Sequence, residues 1–319
     1  MKKYIILMLA FVAAFTSCTN DDITISQTTN FKINPSTVIA PFTYENTPGE
    51  LEGISSYYRL RIRLLIYNTA GNLIEEDTQL FTSYATTMGV SKTLPKGDYI
   101  AIAISDIIAN DNSVTYWDLT NYELLSNATI ANTDYIGDYG REILGISKLS
   151  FTVSGAEDPD ININILPAGS LFMISYWGTQ KYSDVEFYEL AVSKSIIDCK
   201  FDKQGNFTPT WENCDFTKRT NVHNQEGNDG NRYYHYAYIL PTSNLKMKYR
   251  AYSTEGEYVD LTEEMNVSPK AGEEYAVKLD LDEKLYYPPT LVNGNKSRAI
   301  DSKPTYVPQG NSIHLRELK

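Results

Sequence analysis

A two-residue alternation of apolar and polar side chains, repeated in many short segments, constrains the fold of this chain more than any other feature. The alternation is clearest at Leu60–Tyr67, Leu245–Tyr252 and Tyr275–Asp282. Successive side chains of a β-strand point to opposite faces of a sheet, so this period predicts strands with one buried face. Turn residues separate the segments roughly every 8–12 residues, which is typical of antiparallel β-sandwiches. We therefore predict an all-β chain, with one weakly helical segment at Tyr116–Leu125.

The length of the chain limits the number of domains, and its charge limits the kinds of partner it can bind. The chain has 319 residues, which is enough for two domains of ordinary size, and a formal net charge of −12. An acidic chain is poorly suited to wrapping nucleic acid, so we expect no nucleic-acid partner. The chain also has 25 tyrosines against 11 phenylalanines, which favours strand faces with wet edges over a dense helical core.

The first eighteen residues have the order of a lipoprotein signal peptide. Lys2 and Lys3 precede an apolar run at Tyr4–Phe15, which is shorter than the roughly 20 residues that span a bilayer. Small residues then lead into Cys18, as in the box cut by lipoprotein signal peptidase. An ordinary secretory signal with an incidental cysteine is the alternative. Because charge, apolar length and cysteine position agree, we predict that Cys18 becomes the lipidated first residue of the mature chain.

Lipidation of Cys18 implies a place in the cell. Several acyl chains on one residue hold a folded domain to a membrane, where one chain alone would not. Asp21 and Asp22 follow closely, and acidic residues after a lipidated cysteine resemble the surface-export signal of Bacteroidales lipoproteins. We therefore expect the protein in the outer membrane, held by its lipid anchor and facing the cell surface.

Composition and periodicity divide the chain into five parts. Ser170–Trp177 is apolar on both faces, which predicts a central strand of the second domain. Asn311–Leu318 fits either a donor strand or a segment draped on the surface. The predicted parts are a signal peptide at 1–17, a lipidated tether at 18–56 with an added strand at Ser36–Thr43, an N-terminal β-sandwich at 57–166, a C-terminal β-sandwich at 167–285, and a tail at 286–319.

The two predicted domains share a sequence pattern. Leu60–Gly71 lines up with Leu245–Gly256, with identical Leu, Tyr, Thr and Gly, and Pro95–Tyr99 resembles Pro269–Tyr275 in the same order. A duplication explains this similarity, and so do the turn rules that all hairpins share. The matching segments lie early in the first domain and late in the second, which a simple tandem copy would not produce.

The same segments carry a resemblance to a known family. An amphipathic strand that runs into Tyr67 and Gly71, followed by Leu94–Tyr99 before an apolar strand, resembles the fimbrial anchor and accessory lipoproteins of Bacteroidales, which are related to fimbrillins. The resemblance implies two tandem transthyretin-like (Ig-like) antiparallel β-sandwiches. It also implies a structural or adhesive role, with other fimbrial subunits bound by β-strand augmentation.

The position of the first arginine separates roles within that family. Polymerising fimbrillins resemble precursors that lose their N-terminal strand by a cut after an arginine, which opens a groove for a neighbour's strand. Between Cys18 and Arg59 this chain has no arginine. The resemblance therefore implies an uncut anchor or terminator whose lipid stays joined to the folded body.

Two cysteines remain after Cys18. Cys199 and Cys214 flank a turn, and export through an oxidising compartment permits a disulfide between them. Closing a loop of about 15 residues would stabilise the chain by roughly 3 kcal/mol. Two separate thiols are the alternative, and we favour the disulfide because exposed thiols are a liability in exported proteins.

Aromatic residues suggest a second function. Period two places Tyr234, Tyr236 and Tyr238 on one strand face, where they either stack on sugar rings or pack across strands. The alternative function is therefore a glycan-binding surface lipoprotein of a polysaccharide-uptake system, with glycan as its partner. Such a protein needs an exposed aromatic platform, whereas a fimbrial subunit would bury its tryptophans. The further aromatic candidates are Trp117, Trp177 and Trp211.

The sequence offers no positive case for an enzyme. No zinc motif, Walker loop, nucleophile elbow or dinucleotide fingerprint occurs. Adjacent carboxylates such as Glu75 and Glu76 point to opposite strand faces and cannot converge on one glycosidic bond. The acidic segments 106–111 and 157–160 are either solvated turns or loops for Ca²⁺, although neither has calcium-loop spacing. We predict no catalytic residue, no cofactor and no metal site.

Overall fold

The computed structural model describes residues 26–35, 58–82, 86–109, 115–132, 143–155, 159–177, 185–219, 225–226, 232–253, 258–280, 285–291 and 311–312. Across these ranges all helical structure is a single 3-10 turn at Leu125–Asn127, and the other regular elements are strands. The all-β prediction is confirmed. The helix expected at Tyr116–Leu125 is wrong, because Trp117–Thr120 pairs as a strand with Thr129–Asn132, and tertiary pairing outweighs local propensity.

The strands are numbered in chain order. They are β1 (Ser26–Asn34), β2 (Tyr58–Asn68), β3 (Leu73–Phe81), β4 (Met88–Pro95), β5 (Gly97–Ala109), β6 (Trp117–Thr120), β7 (Thr129–Asn132), β8 (Leu144–Val153), β9 (Asp160–Asn164), β10 (Leu166–Pro167), β11 (Ser170–Trp177), β12 (Val185–Phe201), β13 (Phe207–Arg219), β14 (Gln225–Glu226), β15 (Arg232–Ile239), β16 (Leu245–Ser253), β17 (Tyr258–Asp260), β18 (Met265–Val267), β19 (Glu274–Asp280), β20 (Leu285–Leu291) and β21 (Asn311–Ser312).

The first sandwich pairs a three-stranded sheet with a five-stranded sheet. The three-stranded sheet has the order β4-β1-β9 and the five-stranded sheet the order β10-β8-β5-β2-β3. Their facing side chains form one core, in which Phe31 of β1 meets Phe151 of β8 edge-on with ring centroids 5.5 Å apart. The aliphatic face predicted for β2 supplies Leu60, Ile62 and Leu64 to this core, and all three are buried.

The five-stranded sheet is covered on its other face as well. The β6–β7 hairpin lies across it, where the Tyr67 hydroxyl donates to the Tyr122 carbonyl oxygen at 2.9 Å. The tip of the long β12–β13 hairpin reaches the same face, since a Cβ added to Gly205 would lie 2.9 Å from Ile102 Cδ1. This second layer explains why Leu65 and Tyr67, on the face opposite Leu64, are also buried.

The second sandwich is built from β11 and the strands after it, and the earlier hairpin β6–β7 continues one of its sheets across the first sandwich. One sheet has the order β14-β15-β11-β19-β20-β21, and the other contains β17-β16-β12-β7-β6, with β13 paired to β12 and β18 to β16. Its core includes Phe172, which stacks on Tyr275 at 4.8 Å between centroids, and the buried Tyr249 and Val277. Strand β12 joins the two sandwiches, because its first half lines this core while Cys199 and Phe201 at its end lie in the first core.

The two sandwiches repeat one topology. In the first, β1 pairs antiparallel with β4 and parallel with β9, and in the second β11 pairs antiparallel with β15 and parallel with β19. The hairpins β2–β3 and β12–β13 correspond, and so do β5 and β16, each antiparallel to the first strand of its hairpin. The sequence alignment of Leu60–Gly71 with Leu245–Gly256 is therefore wrong strand by strand, because it matches β2 with β16. Amphipathic strands followed by a glycine turn share this pattern wherever they occur in a fold.

Candidate functional site: the N-terminal strand

Strand β1 is the described element nearest to Cys18. Seven residues, 19–25, separate that cysteine from Ser26. The strand lies in the middle of its sheet, paired with β4 from Ser26 to Ile33 and with β9 from Asn30 to Asn34. Its backbone is thus hydrogen-bonded on both sides, so the first described element after the cysteine is an internal part of the first sandwich.

The inner face of β1 belongs to the core. Gln27, Thr29, Phe31 and Ile33 are all buried, and the Gln27 side-chain oxygen accepts a hydrogen bond from the backbone N–H of Gly155 at 2.9 Å. Burying an apolar side chain the size of Phe31 or Ile33 contributes about 1.5–3 kcal/mol. Removing β1 would leave a groove between β4 and β9 with its core exposed.

The outer face of β1 is crossed by two hydrogen-bonded rows of polar side chains. In one row, Ser91 Oγ donates to Asn30 Oδ1 at 2.7 Å and Asn30 Nδ2 donates to Asp160 Oδ1 at 3.0 Å. The other row is equivalent. In it, Thr87 Oγ1 donates to Asn34 Oδ1 at 2.8 Å and Asn34 Nδ2 donates to Asn164 Oδ1 at 3.1 Å. A one-residue slip of β1 would break both rows and turn Phe31 outward, so the register is strongly specified.

Three sequence predictions bear on this site. The added strand predicted at Ser36–Thr43, Cys18 itself and the rest of the signal segment lie outside the described residues. The strand that the structure describes in the predicted tether is β1, which sequence analysis missed. Arg59, the first arginine after Cys18, lies within β2 opposite Ile108. Among the described residues, no helix has the length and apolarity needed to cross a bilayer.

The predicted disulfide is not formed. Cys199 and Cys214 are both free thiols. In the β12–β13 ladder Cys199 lies opposite Pro209, whereas Asn213, next to Cys214, lies opposite Lys194. Five residues of strand separate Lys194 from Cys199, about 16 Å at ~3.3 Å per residue, and a disulfide needs Cα atoms within about 7 Å. Burial raises the pKa of Cys199 to about 12, and Cys214 Sγ donates to the Val192 carbonyl oxygen at 3.3 Å.

The predicted aromatic surface is wrong at Tyr238. This side chain is 8% exposed, and its hydroxyl accepts a hydrogen bond from Gly169 N–H and donates one to the Leu144 carbonyl oxygen, both at 2.6 Å. Tyr238 thus joins β15 of the second sandwich to β8 of the first. The side chains of Tyr234 and Tyr236 lie outside the described part of β15.

The tryptophan candidates are buried or half-buried where they are described. Trp117 is buried in the first core. Trp211 packs against both cores, and its indole N–H donates to the Pro241 carbonyl oxygen at 2.9 Å. The side chain of Trp177 lies outside the described residues. A fimbrial subunit is expected to bury these residues, and an aromatic glycan platform is not.

The acidic segments do not assemble a described metal site. Asp106 is in strand β5, fully buried, where its carboxylate accepts a hydrogen bond from Arg61 Nε at 2.9 Å and lies 3.6 Å from Arg63 Nη2. At Asp106 both alternatives for 106–111, the solvated turn and the calcium loop, are therefore wrong, because this residue is in a strand and two arginines already compensate its buried carboxylate. Asp158 lies outside the described residues. Among those described, no three His, Cys, Asp or Glu side chains are grouped to hold a metal ion.

Comparisons with known proteins bear on the fold. No family model matches the sequence, and no curated protein matches it. The structure is similar to that of a candidate polysaccharide-binding protein of Bacteroides thetaiotaomicron, with a TM-score of 0.50 and 9% identity over 84% of this chain and 99% of that one.

Two further structures align less closely. The fimbrial anchor protein Mfa2 of Porphyromonas gingivalis has a TM-score of 0.43 and 8% identity, over 79% of this chain and 90% of that one. A candidate cell adhesion protein of Bacteroides uniformis has a TM-score of 0.44 and 14% identity, over 84% of this chain and 98% of that one. Of the three, the likeness to the Bacteroides thetaiotaomicron protein shows a shared fold, in agreement with the Bacteroidales resemblance of the sequence.

Proposed function

We propose that the protein is a surface-exposed outer-membrane lipoprotein that acts as an anchor or accessory subunit of a fimbria. The observation that carries the proposal is the position of β1. Seven residues separate this strand from Cys18, and the strand is paired on both sides. A lipid on Cys18 would thus be joined through residues 19–25 to a central strand of the first sandwich, so a cut of the chain after β1 would release the body only if β1 were also pulled out of its sheet.

The pairing of β1 suits a strand that carries mechanical tension between a lipid and the folded body. The eight Cα–Cα steps from Cys18 to Ser26 reach at most about 29 Å, so a lipid on Cys18 would hold the first sandwich close to the bilayer. Tension on Ser26 would run along β1 and load its ladders to β4 and β9 together in shear. Because no arginine lies between Cys18 and Arg59, a cut after arginine would not separate β1 from its lipid.

The anchoring test is a mass spectrum of the mature protein. We expect protein isolated from outer membranes to begin at Cys18, to carry acyl chains there, and to retain Ser26–Asn34. The Cys18→Ala chain should lose the lipid and leave the membrane fraction. A mature terminus beyond Asn34, or membrane retention of the Cys18→Ala chain equal to that of wild type, would contradict the proposal.

The subunit role has its own test. Tagged wild-type protein purified from solubilised outer membranes should bring down fimbrillin-related subunits, identified by mass spectrometry. Polysaccharide binding is the second candidate, favoured by the fold shared with the Bacteroides thetaiotaomicron protein. Retention of the pure protein on a polysaccharide column, with no fimbrial subunit recovered from membranes, would decide for that candidate.

A further inference from the structure

We propose that Arg61 and Arg63 form a binding site for a sugar that carries one carboxylate, on the face of the five-stranded sheet that points away from the three-stranded sheet. The site lies where the edge strand β3 leaves this face open beside the β6–β7 hairpin. It requires neither a lipid on Cys18 nor a fimbrial subunit, so it goes beyond the anchor function. It would give polysaccharide binding, the second candidate function, a place in the fold and a class of glycan.

Three arginines of β2 project from the same face of this sheet. Arg59, Arg61 and Arg63 alternate with residues that point into the first core, so all three lie on the outer face. In a chain with a formal net charge of −12, this row concentrates positive charge in one place. Asp106 lies directly opposite Arg61, and its carboxylate accepts hydrogen bonds from Arg61 Nε and Nη2. That carboxylate is therefore committed mainly to Arg61.

Arg63 is left with few partners for its charge. Its Nη2 lies 3.6 Å from the Asp106 carboxylate and donates to the Trp117 carbonyl oxygen at the long distance of 3.5 Å. Its Nε is buried and has no hydrogen-bond partner in the described part of the chain. Burial also lowers the pKa of Arg63, because the charged form loses contact with water. An oxyanion beside Arg63 would thus offset a cost that the folded chain already carries.

The two arginines are covered on one side and open on the other. The Trp117 carbonyl oxygen covers them from the hairpin. On β3 the residues opposite Arg61 and Arg63 are Leu80 and Thr78, which are both exposed. Strand β3 is the last strand of its sheet within the described ranges. A ligand on the outer face of β3 can therefore reach the two guanidinium groups, whose side chains are 14% and 12% exposed.

The charges around the arginines favour a ligand with a single negative charge. Two guanidinium groups face the one buried carboxylate of Asp106, and the exposed Asp118 lies close enough to favour the charged form of Arg63. The positive charge that remains suits one carboxylate better than a phosphate dianion or a run of acidic residues. A planar guanidinium also matches a carboxylate with two parallel hydrogen bonds.

The rim of the site suits the hydroxyl groups of a sugar. The Tyr122 side chain of the hairpin is hydrogen-bonded to Glu76, and Thr78 follows Glu76 on the same face of β3. These oxygens can accept hydrogen bonds from sugar hydroxyls, whereas the carboxylate would repel the acidic side chains of a peptide. Leu80, which is 46% exposed, offers an apolar surface to one face of a sugar ring. A sugar acid combines one carboxylate, several hydroxyls and an apolar ring face, so it is the ligand class that we predict.

A matched pair of substitutions at the exposed Thr78 tests the site. Thr78→Glu places a carboxylate of the protein opposite Arg63, and Thr78→Gln places a neutral side chain of the same shape there. Binding of tetragalacturonate and of its neutral methyl ester to the full Cys18→Ala chain is measured by titration calorimetry. The parent chain and Thr78→Gln should bind the acid about tenfold more tightly than the ester, and Thr78→Glu should lose this preference. Retention of the preference by Thr78→Glu would overturn the proposal.

Removal of the guanidinium tests the same site independently. Arg63→Gln should lower the affinity for the acid about tenfold, and Arg63→Lys, which keeps the charge without the planar fork, should also weaken binding. The control is Lys32→Gln, which removes an exposed positive charge from the outer face of β1 and should change the affinity less than about twofold. Equal losses in Arg63→Gln and Lys32→Gln would show only a general attraction of anions and would overturn the site. If Arg63→Gln does not fold, the Thr78 pair decides.

Further probes test the ligand class. Sialyllactose and oligoguluronate, each with its methyl ester, extend the search to other sugar acids. If none of the acids binds more tightly than its ester, the proposal is overturned. Hexaglutamate or inorganic phosphate that binds at least as tightly as the best sugar acid would assign the arginines to a different anion and would also overturn it.

The failure of this proposal and that of the anchor function can be told apart. If Cys18 carries no lipid but the preference for a sugar acid depends on Thr78 and Arg63 as described, the anchor function fails and this site stands. If no sugar acid is preferred while fimbrial subunits are recovered from outer membranes, this site fails and the anchor function stands.

Discussion

The Tyr238 hydroxyl should hold the two sandwiches together, and Tyr238→Phe tests this directly. The hydroxyl accepts from Gly169 N–H in the segment that joins the sandwiches and donates to the Leu144 carbonyl oxygen of β8, each at 2.6 Å. Burial raises its pKa far above the usual range of tyrosine, so the group remains a neutral donor. Phenylalanine keeps the ring packing and removes these two hydrogen bonds.

The loss of stability expected for Tyr238→Phe depends on which backbone groups lose their hydrogen-bond partner. Leu144 O still accepts from Ala168 N–H at 2.8 Å, so the main loss falls on the buried N–H of Gly169. A buried unsatisfied donor costs about 1–3 kcal/mol. Since each kcal/mol shifts the Tm of a chain of this size class by about 2–4 °C, we expect a decrease of about 4–8 °C for a loss of about 2 kcal/mol.

The assay is urea and thermal unfolding followed by tryptophan fluorescence, with Tyr258→Phe as the matched control. Tyr258 is 52% exposed, with its ring stacked on the Arg250 guanidinium at 4.1 Å. Phenylalanine preserves that stack, and at an exposed position water can replace any partner of the lost hydroxyl, so the control should change stability by less than about 0.5 kcal/mol. If Tyr238→Phe is as stable as this control, the hydroxyl is not in a buried hydrogen-bonded pair and the reasoning is wrong.

Three further predictions concern other parts of the structure. In the native Cys18→Ala chain, Cys199 should resist alkylation by iodoacetamide at pH 8 because it is buried with a pKa of about 12. Unfolding this chain without reductant should expose two reactive thiols, and finding a disulfide between them would contradict the prediction. Gly205→Ala should cost about 1–2 kcal/mol more than Gly272→Ala in urea unfolding. Both glycines have φ near +76° to +77°, but only a Cβ added at Gly205 meets a neighbour. Equal costs of the two substitutions would refute the docking of the β12–β13 hairpin tip on the five-stranded sheet. Burial tends to raise the pKa of Asp260, but hydrogen bonds from Lys248 and Arg250 lower it overall. The stabilisation that ionised Asp260 provides is therefore present above about pH 4 and lost as pH falls through its folded pKa. The unfolding free energy of Asp260→Asn should lack this loss in acid. If the variant and the wild type lose stability equally as pH falls, the prediction is wrong.

Local patterns predicted the strands with many apolar residues. Leu60–Tyr67 and Leu245–Tyr252 have the alternation of β2 and β16, and Ser170–Trp177, apolar on both faces, is the central strand β11. These predictions succeed because strand period and burial are properties of a few consecutive residues. Strand β1 has the same period, but Phe31 and Ile33 are its only strongly apolar inner residues, beside the polar Gln27 and Thr29.

The candidate site depended on distant pairings that local patterns do not contain. Cys199 and Cys214 are close in sequence, yet the ladder of β12 and β13 keeps them apart. Tyr238 alternates like its neighbours, but its surroundings come from Leu144 and Gly169, 94 and 69 residues away along the chain. The topological repeat could not be derived before the order of the strands was known.

The repeated topology also determines how tension would pass through the molecule. Strands β1 and β11 occupy equivalent central positions, and each is entered from its N-terminal end, β1 from the side of Cys18 and β11 from the first sandwich. In a lipid-anchored chain, a load on the second sandwich would pass along the backbone through Ala168 and Gly169, and through the packed strand β12, into the first sandwich, and from there through β1 toward Cys18. That short segment is held by Leu144 and by the Tyr238 hydroxyl, so it cannot extend until those bonds break. If the protein is an anchor, Tyr238→Phe should weaken the junction under force more than it weakens either sandwich alone.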